Sequence, residues 1–150
     1  MKTYQLELLQ AVLATQQGLT SIQADHVHLD RGAPIGDDEC DAINIVPGES
    51  RFESMGSEGT YDILKARVQF TVAHHTRGEP QVELVDPAKG ESHQALMQDP
   101  SLGGLALRLF IISSRPRKAP GNGSVGVEEM TYEATVLVDE RTLAIWSHET

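Results

Sequence analysis

Histidines, a run of carboxylates and one knot of cations are the groups in this sequence with the types and spacing for chemistry. His26-x-His28 and His74-His75 supply imidazoles, which bind zinc in the neutral form. Residues two apart on a strand share a side, so His26 and His28 face together while His74 and His75 face apart. At most three, His26, His28 and His74, then converge, and only if their strands are neighbours. That arrangement would suit a small cytoplasmic enzyme or ligand-binding protein. Exposed histidines at strand ends account for the same spacing without a metal.

Asp37, Asp38, Glu39 and Asp41 form the acidic run. General acid–base hydrolysis needs two carboxylates held in a cleft at a defined separation. These four sit instead in a turn-like stretch, 30–41, with Gly32, Pro34 and Gly36, and read as solvated loop charge. No Gly-x-Ser-x-Gly elbow and no Cys–His pairing signature is present. Gly121-x-Gly123-x-x-Gly126 matches a dinucleotide fingerprint by letter, but a strand pattern follows it where the fingerprint needs a helix N-terminus. Asn122-Gly123-Ser124 is a glycosylation sequon with no secretion signal to give it meaning. The residues therefore predict no catalytic centre, no cofactor and no metal.

Arg115, Arg117 and Lys118 are the one basic cluster, placed among Pro116 and Pro120 at an expected hairpin tip. Such a tip is either solvated or an arm that finds an acidic surface on a neighbouring copy. The chain's own Asp37, Asp38 and Glu39 supply a surface of that kind.

The elements that must position these groups can be read from periodicity. Thr3 is a candidate cap for a helix over 4–16, with Leu6, Leu9, Val12 and Leu13 as its apolar stripe and Gly18 as its stop. A short strand is expected within Gln23 to Asp30, and another over Ala42 to Val46, closed by Pro47-Gly48. From Thr60 to Thr76, apolar and polar residues alternate for about 17 positions, roughly 56 Å at 3.3 Å per residue. That exceeds the diameter of a compact domain of this length, so a bulge must bend the strand or its end must project.

Glu79 to Asp99 has helical spacing interrupted by Pro87 and Gly90, which predicts one or two short helices. After Asp99-Pro-Ser-Leu-Gly-Gly104, Leu105, Leu107, Leu109 and Ile111 share one face of a strand. Val125 to Val138 alternates again, and Asn122-Gly123 is the turn that would pair these two runs. The sum is one α+β domain over 1–150: a mainly antiparallel or mixed twisted sheet of four to six strands, helices packed on it, and one projecting β-hairpin.

Bulk properties narrow the class. The chain has 150 residues, 12 basic and 22 acidic, for a formal charge of −10. That balance disfavours phosphate binding and demands matched patches for any self-association. With aromatics at 5%, Phe52, Phe70, Phe110 and Trp146 are the large core candidates. A single cysteine excludes an internal disulfide, and the longest apolar run is half a membrane span, so a cytoplasmic home is expected.

The order of these elements resembles the phage tail-terminator family of the minor tail protein U type. The likeness is carried by the capped helix, the acidic loop before a strand ending in Pro47-Gly48-Glu49, and the long strand at 60–76. The helical segment, the Asp99-Pro-Ser-Leu-Gly-Gly104 junction and the last strand through Tyr132 complete it. The resemblance implies a structural protein, not an enzyme, whose copies close into a ring, typically a hexamer, at the head-proximal end of a virion tail. It implies a tail tube protein and a head-completion or connector protein as partners, assembly in the host cytoplasm, and DNA passing through unbound. Six copies at −10 each carry about −60, which suits such a lumen. A head–tail connector or neck protein would fit the same features.

Overall fold

The computed structural model describes residues 2–55, 62–118 and 125–146. Helix α1 spans Tyr4–Gln17, strand β1 Val27–Leu29, β2 Ala42–Ser54, β3 Ile63–Arg77, helix α2 Gln81–Gln98, β4 Arg108–Lys118 and β5 Val125–Asp139. The five strands form one sheet in the order β1-β2-β3-β5-β4. β1 runs parallel to β2, and every other pair is antiparallel. The fold is therefore the α+β mixed sheet that the sequence predicts.

The sheet is organised by β3 and β5, which pair without interruption from Ile63↔Asp139 to Arg77↔Val125. Alternation does the rest. Ala66, Val68, Phe70 and Val72 of β3, with Met130, Tyr132, Ala134 and Val136 of β5, point to the face covered by the helices and are fully buried. Phe70 stacks on Tyr132 with centroids 5.4 Å apart, and Tyr132 in turn stacks on His93 of α2, whose Nδ1 lies 2.9 Å from the phenolic oxygen. Burying each of these large side chains stabilises the fold by about 2–3 kcal/mol. Phe70 is the one expected aromatic that is fully buried; Phe52 is 46% exposed, though its ring meets Tyr4 edge to face at 5.6 Å.

The helices differ from expectation in instructive ways. α1 buries Tyr4, Leu8, Leu9, Val12 and Gln16, while Leu6 lies exposed. Thr3 stands at the N-cap position but makes no side-chain capping bond. The carbonyl of Leu143 accepts from Tyr4 N–H at 2.7 Å, so the C-terminal segment caps this helix. α2 is a single 18-residue helix running through Pro87 and Gly90. Interior proline costs about 3 kcal/mol. Val85, Ala88, Ser92 and Leu96 recur at three- and four-residue spacing and offset that cost by burial. Between the helices, Ser92 Oγ donates to Gln16 Oε1 and Gln16 Nε2 donates to the Ser92 carbonyl at 3.3 Å, a fully buried polar contact.

Strand boundaries also move. β1 is only three residues, preceded by a tight turn at Ala24–His26. β2 does not stop at Pro47-Gly48 but continues to Ser54 across a bulge between Pro47 and Ser50. β1 pairs only with 43–45, so Pro47 sits where β2 is an edge, the position that tolerates a missing N–H. β4 begins at Arg108, leaving Leu105 and Leu107 in the preceding loop, where Leu102 and Ala106 fill the core instead. In that loop Asp99 accepts from the N–H of Ser101 and Gly103, and Ser101 Oγ accepts from Gly104 N–H at 3.0 Å. Leu102, Gly103 and Gly104 all have positive φ, which explains the double glycine. At 15 residues β3 reaches roughly 50 Å. The expected turn Asn122-Gly123 and the start of the long strand at Thr60 lie outside the described residues.

At the β2 bulge a Cβ on Gly48 would stand 2.8 Å from the Gln69 carbonyl oxygen, a backbone atom that cannot swing away. Gly48→Ala is expected to destabilise the protein by about 1–3 kcal/mol in urea unfolding. Gly32→Ala, where nothing lies within 4 Å, should stay within about 0.5 kcal/mol of the parent.

Candidate interaction surface

Helix α1 contacts β1 and β2, and α2 contacts β3, on one side of the sheet. The other side is open. Register assigns it the odd-numbered residues of β3 and β5 and their cross-strand partners. It carries Arg51, Lys65, Arg67, Arg77, Arg108, Arg115 and Arg117 against Glu53, Glu129, Glu133, Asp139 and Glu49, which pairs with Arg51 at 3.2 Å. Seven cations and five carboxylates give this face +2, while the other five cations and seventeen carboxylates of the chain give −12. The molecule is acidic overall and basic on one side.

At the end of the face nearest β1, a cavity of about 530 Å³ is lined by Arg31, Ile35, Glu39, Asn44, His75 and Arg117, among others. Arg31 holds it together: its guanidinium grips Glu39 through both nitrogens and donates to the carbonyls of Ala33 and Pro34. Its backbone N–H and carbonyl bond the Asn44 amide at 3.0 Å each. The guanidinium of Arg31, with the Gly36 N–H, holds the Glu39 carboxyl down at about 2. Burial, reinforced by the cations Arg117 and Arg31, pushes His75 down to about 4, so this imidazole is neutral at pH 7.

In the middle of the face, Arg115 and Arg117 both reach Glu129, at 3.2 and 2.8 Å. Thr71 and Thr131 oppose each other with hydroxyls 3.1 Å apart. At the far end, Lys65, Arg67, Arg108, Phe110 and Glu133 surround a cavity of about 310 Å³ beside Leu107, and the Arg108 guanidinium lies 4.6 Å over the Phe110 ring.

The residues singled out from sequence fall into this frame unevenly. Arg115, Arg117 and Lys118 lie within β4, paired to Glu129, Val127 and Gly126, and not in a loop at a hairpin tip. Pro116 is accommodated because β4 is the edge strand. Asp37, Asp38 and Glu39 form a short 3₁₀ turn, with Asp38 exposed and Glu39 held by Arg31. Glu39 and Arg117 thus line one cavity of the same chain.

The histidines do not converge. His26 belongs to the turn before β1, with Nδ1 3.2 Å from the Asp41 carbonyl; His28 lies on the open face; His74 is buried on the helix face. β2 separates β1 from β3, which the spacing could not reveal. Among the described residues, no group of three His, Cys, Asp or Glu side chains is placed to hold a metal ion. Gly126 of the glycine-rich string sits inside β5, with the Gln81 side chain lying over it; Gly121 and Gly123 lie outside the described residues. The Lys65, Arg67, Arg108 and Phe110 corner escaped sequence reading. Lys65 and Arg67 are visible as the polar side of an alternating strand, but only the register of β5 brings Arg108 to them.

No protein-family model matches the chain. No curated protein matches it. Among solved structures, a chain from the virion of a native gene transfer agent particle shares the fold with a TM-score of 0.50 and 10% identity. The match covers 87% of this chain and 94% of that one. At that identity the likeness is one of fold.

The Glu39 carboxyl should titrate near 2 by carbon-detected NMR, and Arg31→Met should return it toward 4.5. A depressed carboxylate pKa stabilises the fold above the unfolded value and loses that contribution as pH falls from 4.5 toward 2. Glu39→Gln should accordingly flatten the acid limb of the stability curve in that window.

Proposed function

We propose that this chain is a structural subunit of a phage-type virion, and within it a tail terminator. In this reading, copies close into a ring, most simply a hexamer, on the head-proximal end of the tail tube. The ring stops tube polymerisation and offers the surface on which the head-completion or connector protein docks. The protein is then part of the virion tail, assembled in the host cytoplasm, and DNA passes through the ring unbound.

The observation that carries the reading is the fold shared almost end to end with a gene transfer agent virion chain, on the element order that resembles tail terminators. The two-sided charge supports it. A ring subunit meets a neighbour through one surface on each flank, and a +2 face on a chain of net charge −10 gives opposite charge to offer across such a contact. The open sheet face is also long and uncovered by either helix, with charges of both signs that a neighbouring copy could complement.

Complementation decides the matter. Purified protein added to lysates of a host phage lacking its terminator should restore tails of uniform length and infectious particles. Overlong tubes persisting at saturating protein would reject the terminator role. Uniform tails that fail to acquire heads only when this protein is missing would point to a connector instead.

A further inference from the structure

The open face has one corner unlike the rest. The cavity at Phe110 is lined by three cations, Lys65, Arg67 and Arg108, and one carboxylate, Glu133. Glu53 and Arg51 stand across from Lys65 and Arg67 on β2, which leaves an excess of positive charge, and Leu107 beside them is 66% exposed. Elsewhere on the face Arg115 and Arg117 already have Glu129. The cation-rich corner therefore combines unneutralised charge with uncovered apolar surface, a pairing that marks a protein contact more than a solvated face.

A complementary surface exists on the same chain. The first two turns of α2 expose Val82, at 69%, on the same helix face as the exposed Asp86, with exposed Glu83 beside it, Leu84 at 47% on the far flank and Glu79 just before the helix. These two corners cannot meet within one molecule. α2 begins over Gly126, opposite Thr76, on the helix-covered side; the Phe110 corner lies on the open side near Arg67. Nine or ten residues of β3 separate them, roughly 30 Å along the strand, in addition to the thickness of the sheet.

We propose that the first two turns of α2 in one copy dock on the Lys65, Arg67, Arg108 and Phe110 corner of the next, head to tail. Val82 fills the cavity beside Phe110 and Leu107, while Asp86, one turn further along the same helix face, and Glu83 beside them meet Arg67, Arg108 and Lys65. This is a heterologous contact, using a different patch on each partner, and repeated by rotation it closes a ring. The inference rests on the ring reading above and specifies which surfaces make it. Duplex DNA would use only the cations, would leave Val82 uncovered, and would be opposed by the charge of the whole chain.

Sedimentation velocity on the full chain at low and high salt tests this with exchanged charges. Arg67→Glu with Arg108→Glu, and separately Glu83→Arg with Asp86→Arg, should each weaken self-association on the order of tenfold at low salt. The four-fold variant, which restores opposite charges across the contact, should recover most of it. Far-UV circular dichroism establishes that each variant is folded.

Recovery supports the contact. Folded four-fold protein that associates no better than its parents overturns it. So does wild-type association that responds to Arg115→Glu with Arg117→Glu but ignores both exchanges, and in that case the ring reading stands. A wild-type chain that stays monomeric at every concentration and also on purified tail tubes removes the ring reading and this contact together. Salt-sensitive retention of a 30-base-pair duplex, lost with the Arg67 and Arg108 reversals while self-association is untouched, would make the corner a nucleic-acid surface and overturn the proposal.

Discussion

Two helices cover one side of a five-stranded sheet, and the uninterrupted pairing of β3 with β5 decides which side chains go there. A strand has a side-chain period of two, so slipping β5 by one residue against β3 would send Met130, Tyr132 and Ala134 into water and bring Glu129, Thr131 and Glu133 under the helices. The register is thus locked by burial. The same lock lines up Lys65, Arg67 and Glu133 on the outer side, where no helix reaches. Core and outer face are products of one alternation, and the composition of the outer face is fixed as firmly as that of the core.

The long alternating strands, the helix at the N-terminus and the α+β class were legible because periodicity reports burial directly. Element ends were less so, for reasons visible at particular residues. Pro47-Gly48 looks like a stop, yet β2 has no neighbour beyond 45 on its outer edge, so the proline loses nothing and the glycine supplies a bulge. Pro87 looks like a break, yet Ala88, Ser92 and Leu96 still meet the core. Leu105 and Leu107 alternate with Leu109 as a strand should, but Leu102, held at positive φ by the Asp99 turn, takes the buried place first. The charged surface was the least legible part. Its members come from four strands, and strand order in a mixed sheet is not a property of local sequence.

Away from the Phe110 corner, several charges are satisfied locally. Arg31 and Glu39 satisfy each other, Glu129 serves two arginines, and Glu128, buried against Lys89 and Ser114, keeps its charge by direct bonds. His74 and His75, on opposite sides of β3, are both held neutral by burial. The edge strand β4 is guarded as well. Its bulge at 111–113, Pro116 and its cations discourage another strand from adding there.

The buried contact between Gln16 and Ser92 has a mechanical meaning. An amide sealed from water keeps its partners only while the two helices hold one rotation and one height relative to each other, since a slide of a single turn would strand a donor and an acceptor in an apolar setting. Apolar packing alone would let the pair shear; this keyed joint does not. The opposite end of α1 is tied in turn to the segment after β5, through the bond from Tyr4 N–H to the Leu143 carbonyl, so the helix is fastened at both ends.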